Sequence, residues 1–200
     1  MKMRVFYALF VLILLGGCST THPSVTEFRI QTQVAKHDTS SKECSQKSLK
    51  VAQTFSPASL MSLDMSYAVG GNKQFLYTQS QWSMPPNKAV SAEVLKHIRE
   101  HKLFKNVQVS QSRSTSDLVL ETNIEDFMQY FNADKTESYA NVVVSFSLID
   151  FKSAKVLDTQ TFSSKIKVKS LDAQGGTQAL NEALTDIIAQ SVIWLDGICK

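Results

Sequence analysis

No stretch of this 200-residue sequence is apolar for long enough to cross a bilayer. The best candidate, Val5–Leu15, offers eleven residues without a charge. As a helix it would span only about 16 Å, against about 30 Å of hydrocarbon. Also missing are a G-x-S-x-G elbow, a glycine-rich phosphate loop and a cysteine set beside a histidine, so the common signatures of acyl hydrolysis and nucleotide binding are absent. There is no internal repeat. Charge of one sign is not in excess either: 21 Lys and Arg face 18 Asp and Glu. Two of those cations, Lys2 and Arg4, precede the apolar run, and without them 19 face 18. The high pI needs no basic patch to explain it, and nucleic-acid binding gains no support. Cysteine is scarce, with three in the chain.

What is present begins with the first of those cysteines. A basic start followed by a short apolar run reads as a secretory signal peptide. The run ends in Leu15-Gly16-Gly17-Cys18, which resembles the lipobox of bacterial lipoproteins. Cleavage before Cys18 would make it the new N-terminus, with its thiol carrying a diacylglycerol. Each buried methylene adds about 0.8 kcal/mol to membrane affinity, and two or more chains hold stably. The lipoprotein resemblance implies three chains and a permanent tether. Ser19 stands where Asp would imply inner-membrane retention, so the outer membrane, facing the periplasm, is expected. The boundaries follow: residues 1–17 signal peptide, 18–26 lipidated polar tether, 27–200 one domain.

With Cys18 acylated, Cys44 and Cys199 remain in an oxidising compartment. They are candidates for one disulfide, with two free thiols as the alternative.

Along the domain, an alternating segment over Glu27–Gln33 predicts a strand. Residues 35–48 read as a polar loop, and Leu49, Val51 and Phe55 mark a second strand. Two strands joined through Gly70-Gly71-Asn72 predict a hairpin. Pro85 and Pro86 stop it, and Asn87 is a plausible N-cap for a helix over about 88–102, with Val90, Val94 and Ile98 on one face. From Asp117 the sequence alternates, with Leu118, Leu120, Thr122 and Ile124 on one side. The parity slips near Asp126–Phe127, which predicts a bulge. Two further alternating runs, bearing Val142–Leu148 and Val156–Val168, complete an antiparallel meander. A long helix over about Gln174–Leu195 closes the chain, with Gly175-Gly176 read as a turn before it and Gly197 as its C-cap. The pattern predicts an α+β, two-layer domain: a mostly antiparallel sheet with two amphipathic helices packed on one face.

Candidate chemistry is thin. His97 and His101 lie four apart on the first helix, a spacing that can bind zinc, but "HIREH" lacks the Glu that follows the first His of a zincin. Histidines flanking the core are the better reading, and no metal site is assigned. Glu121, Glu125 and Asp126 read as solvent-side strand carboxylates. No catalytic residue and no cofactor are assigned. Aromatics are the other place to look. Tyr130, Phe131 and Tyr139 flank the tip of a strand pair and are candidate partner-binding residues, with packing against the helices as the alternative. Trp82 is expected to pack inward.

The order of these segments is similar to a known family. A lipobox precedes "FRIQT", then "QFLYTQSQWSMPPNKAVSAEVLKHIREHKLFKNVQV", "DLVLETNIEDFMQYF", "ANVVVSFSLIDFKSAKVLDTQTFS" and "GTQALNEALTDIIAQSVIWL". This resembles the ABC-type transport auxiliary lipoprotein family, with Tyr77, Trp82, Pro85, Leu103, Phe104, Val107, Leu180 and Asn181 in its hallmark places. The chain departs from the pattern in the polar loop at 35–48 and in Met84. The resemblance implies a non-catalytic accessory or docking component of an ABC lipid-transport system, whose partner is a mammalian-cell-entry-domain protein. Homo-oligomerisation is left open. An envelope-assembly lipoprotein, either a lipopolysaccharide-assembly partner or a cell-wall synthase activator, is the alternative reading.

Overall fold

The structure, a computed structural model, describes residues 23–34 and 43–199. Cys18 and the expected signal segment lie outside the described residues. Eight strands form one sheet: β1 (Thr26–Phe28), β2 (Ser48–Val51), β3 (Asp64–Val69), β4 (Lys73–Trp82), β5 (Asn106–Val109), β6 (Leu118–Phe131), β7 (Ser138–Asp150) and β8 (Lys155–Lys167). Two helices, α1 (Pro86–His101) and α2 (Ala173–Ile198), complete the α+β domain.

β6 is the organising strand. Along one edge it pairs antiparallel with β7 for nearly its whole length, and β7 pairs antiparallel with β8. Its other edge is shared. β2 runs parallel to its first part, with Leu49 opposite Leu118, and β3 runs parallel to its last part, with Val69 opposite Phe131. β5 extends the sheet beyond β2, and β4 then β1 extend it beyond β3. The long ladders are antiparallel and the short ones parallel, so the sheet is mixed but mostly antiparallel.

The parity slip in β6 is a bulge between Ile124 and Asp126. Before it, Leu118, Leu120, Thr122 and Ile124 point into the core; after it, Phe127, Gln129 and Phe131 do. On β7, Ala140, Val142, Val144, Phe146 and Leu148 line the same layer. α2 lays Leu180, Leu184, Ile187, Ile188, Val192 and Leu195 on that surface, and α1 adds Val90, Val94 and Ile98. Periodicity alone therefore produces the two layers: a period of two on the strands meets a period of 3.6 on the helices. The opposite face of the meander is open and polar, with hydroxyl pairs Ser145–Thr161 and Ser147–Thr159 across the strands. Trp82 is buried against Phe127, with ring centroids 6.0 Å apart.

Several local expectations are corrected. The predicted strand over Glu27–Gln33 is strand only to Phe28, because the backbone beyond it is taken by helix side chains. The N-cap of α1 is Pro85 rather than Asn87, which is buried in the first turn with its Oδ1 accepting from Lys88 N. Proline at the first helical position needs no hydrogen bond there, so the helix starts earlier than a side-chain cap would allow. Gly175 and Gly176 lie inside α2, whose N-cap is Asp172; the Asp172 carboxylate accepts from Gly175 N at 2.7 Å. Gly197 also lies within the helix, which runs to Ile198 and ends at Cys199.

Cys44, in a short 3-10 turn before β2, is bonded to Cys199 at the end of α2, with Cα atoms 5.2 Å apart. Both sulfurs are buried, so the link joins the sheet's β2 side to the far end of the helix layer.

Candidate docking surface

The three aromatic candidates do not share one face. Tyr130 and Phe131 are neighbours on β6, so the pleat sends them to opposite sides. Phe131 is buried, edge-on to Tyr67 at 5.4 Å. Tyr130 and Tyr139 face each other across β6 and β7 on the open side and stack at 5.3 Å with rings 11° from parallel. Lys165 of β8 stands over the Tyr139 ring, its Nζ 3.6 Å from the centroid. Beneath the stack, Asp126 Oδ2 accepts from Tyr130 Oη at 2.8 Å and from Asn141 Nδ2 at 2.7 Å. Partial burial, followed by that bond to Asp126, raises the Tyr130 phenol well above its ordinary value, so it stays a donor at any physiological pH. The result is a half-buried, preorganised patch of two flat rings, one cation and one oriented carboxylate. Such groups anchor protein interfaces with little rotamer entropy to lose. The sequence places Lys165, with Lys167 and Lys169, on the polar face of its strand; that it meets Tyr139 follows only from the register, in which it pairs with Asn141, two residues further along β7.

The second cluster holds the chain's start against the helices. Residues 29–33 form an extended strap between α1 and α2. Asn181 of α2 binds it twice: its Oδ1 accepts from Gln31 N at 3.1 Å and its Nδ2 donates to Arg29 O at 3.2 Å. Thr185 Oγ1 accepts from Gln33 N. From α1, Glu93 Oε2 accepts from both Thr32 N at 3.1 Å and Thr32 Oγ1 at 2.5 Å. Lys96 Nζ donates to Thr32 O and pairs with Glu93 at 2.6 Å. The helix side chains thus do for the strap what a neighbouring strand would otherwise do. Replacing Asn181 by Ala should cost about 2 kcal/mol, and hydrogen exchange should show the amides of Gln31 and Gln33 losing protection before the sheet does.

His97 belongs to this clasp. Its Nε2 lies 2.7 Å from Thr32 Oγ1, and its ring is fully buried. His101 turns its Nδ1 to His97 O at 2.7 Å, and the two rings lie 6.3 Å apart. Both rings are therefore engaged within the helix and the strap, which is the core-flanking arrangement. Burial, and then the Lys96 ammonium, pull the His97 pKa down from 6.5 to about 4; Glu93 opposes this and His101 adds to it. A group whose folded value is depressed contributes stability above its unfolded value and loses it as pH falls towards the folded one. Stability should therefore fall by about 2–3 kcal/mol between pH 7 and pH 4.5. Urea titrations across that range should show the slope in the wild type and not in His97→Gln.

These features fall within the span matched by a family model. The model of the ABC-type transport auxiliary lipoprotein component matches residues 28–191. Among solved structures, the chain is similar in fold to protein XCC0632 from Xanthomonas campestris, with a TM-score of 0.78 at 17% identity, over 87% of this chain and 96% of that one. A second, an uncharacterized protein, gives 0.65 at 11% identity, over 86% of this chain and 98% of that one. At such identities the likeness shows the fold alone. No curated protein matches the chain in sequence. The hallmark residues named from the sequence hold structural posts: Trp82 fills the core, Leu103 and Phe104 are buried after α1, and Asn181 clamps the strap. With the family model covering 28–191, the chain belongs to the family of ABC-type transport auxiliary lipoprotein components.

Proposed function

We propose that the chain is held by acyl chains on Cys18 to the periplasmic face of the outer membrane. There it serves as a docking component for a mammalian-cell-entry-domain protein of an ABC lipid transporter. The family is one of ABC-type transport auxiliary lipoprotein components. The observation that carries the reading is the position of the lipobox, Leu15–Cys18, ten residues ahead of the family-matched span that begins at Phe28. Ser19 supports the outer-membrane placement.

The docking role falls on Tyr130, Tyr139 and Lys165, whose rings and ammonium face solvent from the rigid meander. Affinity capture from detergent-solubilised envelopes tests it. The partner should co-purify with the wild type, and Tyr139→Ala with Lys165→Glu should cut its recovery at least about tenfold through loss of two central anchors. The melting temperature should move little. Cys18→Ala should leave the membrane fraction and lose transport while still folding. Normal transport by that soluble variant would overturn the anchoring.

A further inference from the structure

β1 is parallel to β4, with Thr26 opposite Ser80 and Phe28 opposite Trp82. Followed backwards, the chain therefore leaves β1 towards the start of β4, where the β3–β4 turn sits at residues 70–72. Cys18 is eight residues upstream of Thr26, at most about 29 Å of fully extended chain. Ser80 neighbours Gln81, which faces Asp64, and from there to the turn β3 rises only roughly 20 Å. The opposite end of the sheet, at the β7–β8 turn, would require the chain to reverse as it leaves β1. The direction of β1 thus favours the β3–β4 turn as the end that an anchor at Cys18 holds towards the bilayer.

The β7–β8 turn also exposes an aromatic and lysines, Phe151 with Lys152 and Lys155, so what sets the β3–β4 end apart is its place on the side to which β1 runs back. Gly70 and Gly71, with φ of 62° and 87°, make a tight turn that no side chain crowds. Gly70 N donates to Phe131 O at 3.1 Å, which stitches this turn to the β6–β7 turn. Phe75 and Leu76 stand just behind the tip at 43% and 55% exposure. Phe75 stacks on Tyr67 at 5.6 Å, and Lys135 from the neighbouring turn lies over both rings, 5.3 Å from one and 5.5 Å from the other. Lys73 flanks the tip. Neither Lys73 nor Lys135 is in an ion pair among the described residues. The nearby acids are already engaged: Asp134 Oδ1 accepts from Thr136 Oγ1 at 2.8 Å, and Glu137 faces Lys167 at 3.7 Å.

We propose that this tip, carrying Tyr67, Lys73, Phe75, Leu76 and Lys135, rests in the anionic phospholipid headgroup layer of the leaflet that holds the Cys18 acyl chains. Aromatic and aliphatic side chains enter the interface while lysines meet the phosphates, the division of labour that suits a membrane surface. The tip fixes the domain's orientation and turns the α2 C-terminus and the β7–β8 turn away from the membrane. This rests on the acylation of Cys18 proposed above.

The experiment uses the full acylated chain in vesicles of phosphatidylcholine with or without about a quarter phosphatidylglycerol, with the mass of the first residue measured on the same sample. On anionic vesicles, hydrogen exchange over residues 70–76 and 132–137 should slow about tenfold relative to phosphatidylcholine alone, and Lys73→Glu with Lys135→Glu should reduce that to less than about twofold. Equal exchange on both vesicles with Cys18 acylated overturns the docking and leaves the anchor standing. So does protection that falls on residues 151–154 instead. An unmodified Cys18 takes both readings down.

Discussion

Cys199→Ser should lower the unfolding free energy by about 3–5 kcal/mol, the larger of the stability losses expected for this chain. The bond closes a loop of 155 residues, nearly the whole domain. In the unfolded chain it ties together segments that would otherwise roam apart, and the chain-entropy model puts that constraint at about 5 kcal/mol. Contacts in the folded state add a second reason. Cys44 and Cys199 are 3% and 2% exposed, so the serine would bury a hydroxyl, beside the released Cys44 thiol, where sulfur now packs. The turn bearing Cys44 leads directly into β2, whose Leu49 and Val51 are core residues on a four-residue strand. A strand that short has little hold of its own, and release of its leading turn should let it fray together with the last turn of α2. Urea unfolding with and without dithiothreitol checks this. Reductant should act on the wild type as the substitution does and add nothing to the variant. A loss below about 1 kcal/mol would mean that the bond constrains nothing the fold does not already hold.

The layers were legible because each buried side chain in them answers to a period. Leu118 to Ile124 alternate, Leu180 to Leu195 recur every three or four residues, and the slip at Asp126 showed as a change of parity. Strand direction was not legible. Whether β2 and β3 lie parallel or antiparallel to β6 changes hydrogen-bond geometry but not alternation, so Leu49 and Met65 read the same either way. The strap at 29–33 was misread as strand because its alternation is real: Ile30 and Thr32 are buried and Gln31 is exposed. What the alternation could not reveal was that the partners would be Asn181 and Glu93 side chains. The placing of the three aromatic candidates was half legible. Adjacent residues on a strand face opposite ways, so Tyr130 and Phe131 do not share one face, and Phe131 is the buried one. The parity slip already put Phe131 on the inward side with Phe127; what it left out was the cross-strand stack of Tyr130 on Tyr139, which needs the β6–β7 register.

Gly176→Ala should destabilise the domain by about 3–4 kcal/mol, although alanine is the better helix former by about 1 kcal/mol. A Cβ on Gly176 would lie 1.9 Å from Gln129 Oε1 and 2.7 Å from its Cδ. Gln129 has nowhere to go. It is fully buried, its Oε1 accepts from Tyr77 Oη at 2.9 Å, and its Nε2 donates to Ser138 Oγ at 3.0 Å. The glycine is therefore required by a close approach of helix to strand and not by its backbone freedom, since it sits in the first turns of α2. Moving Gln129 aside would leave buried polar atoms without partners, at about 1–3 kcal/mol each, and shifting the helix would disturb the clamp that Asn181 makes one turn further on. A double-mutant cycle separates this account from a general intolerance of the site. In a Gln129→Ala background the obstructing amide is gone, so adding Gly176→Ala should cost less than about 1 kcal/mol and could even recover helix propensity. The coupling energy should then be about 2 kcal/mol or more. If Gly176→Ala costs the same in both backgrounds, the close approach to Gln129 is not what holds this position to glycine.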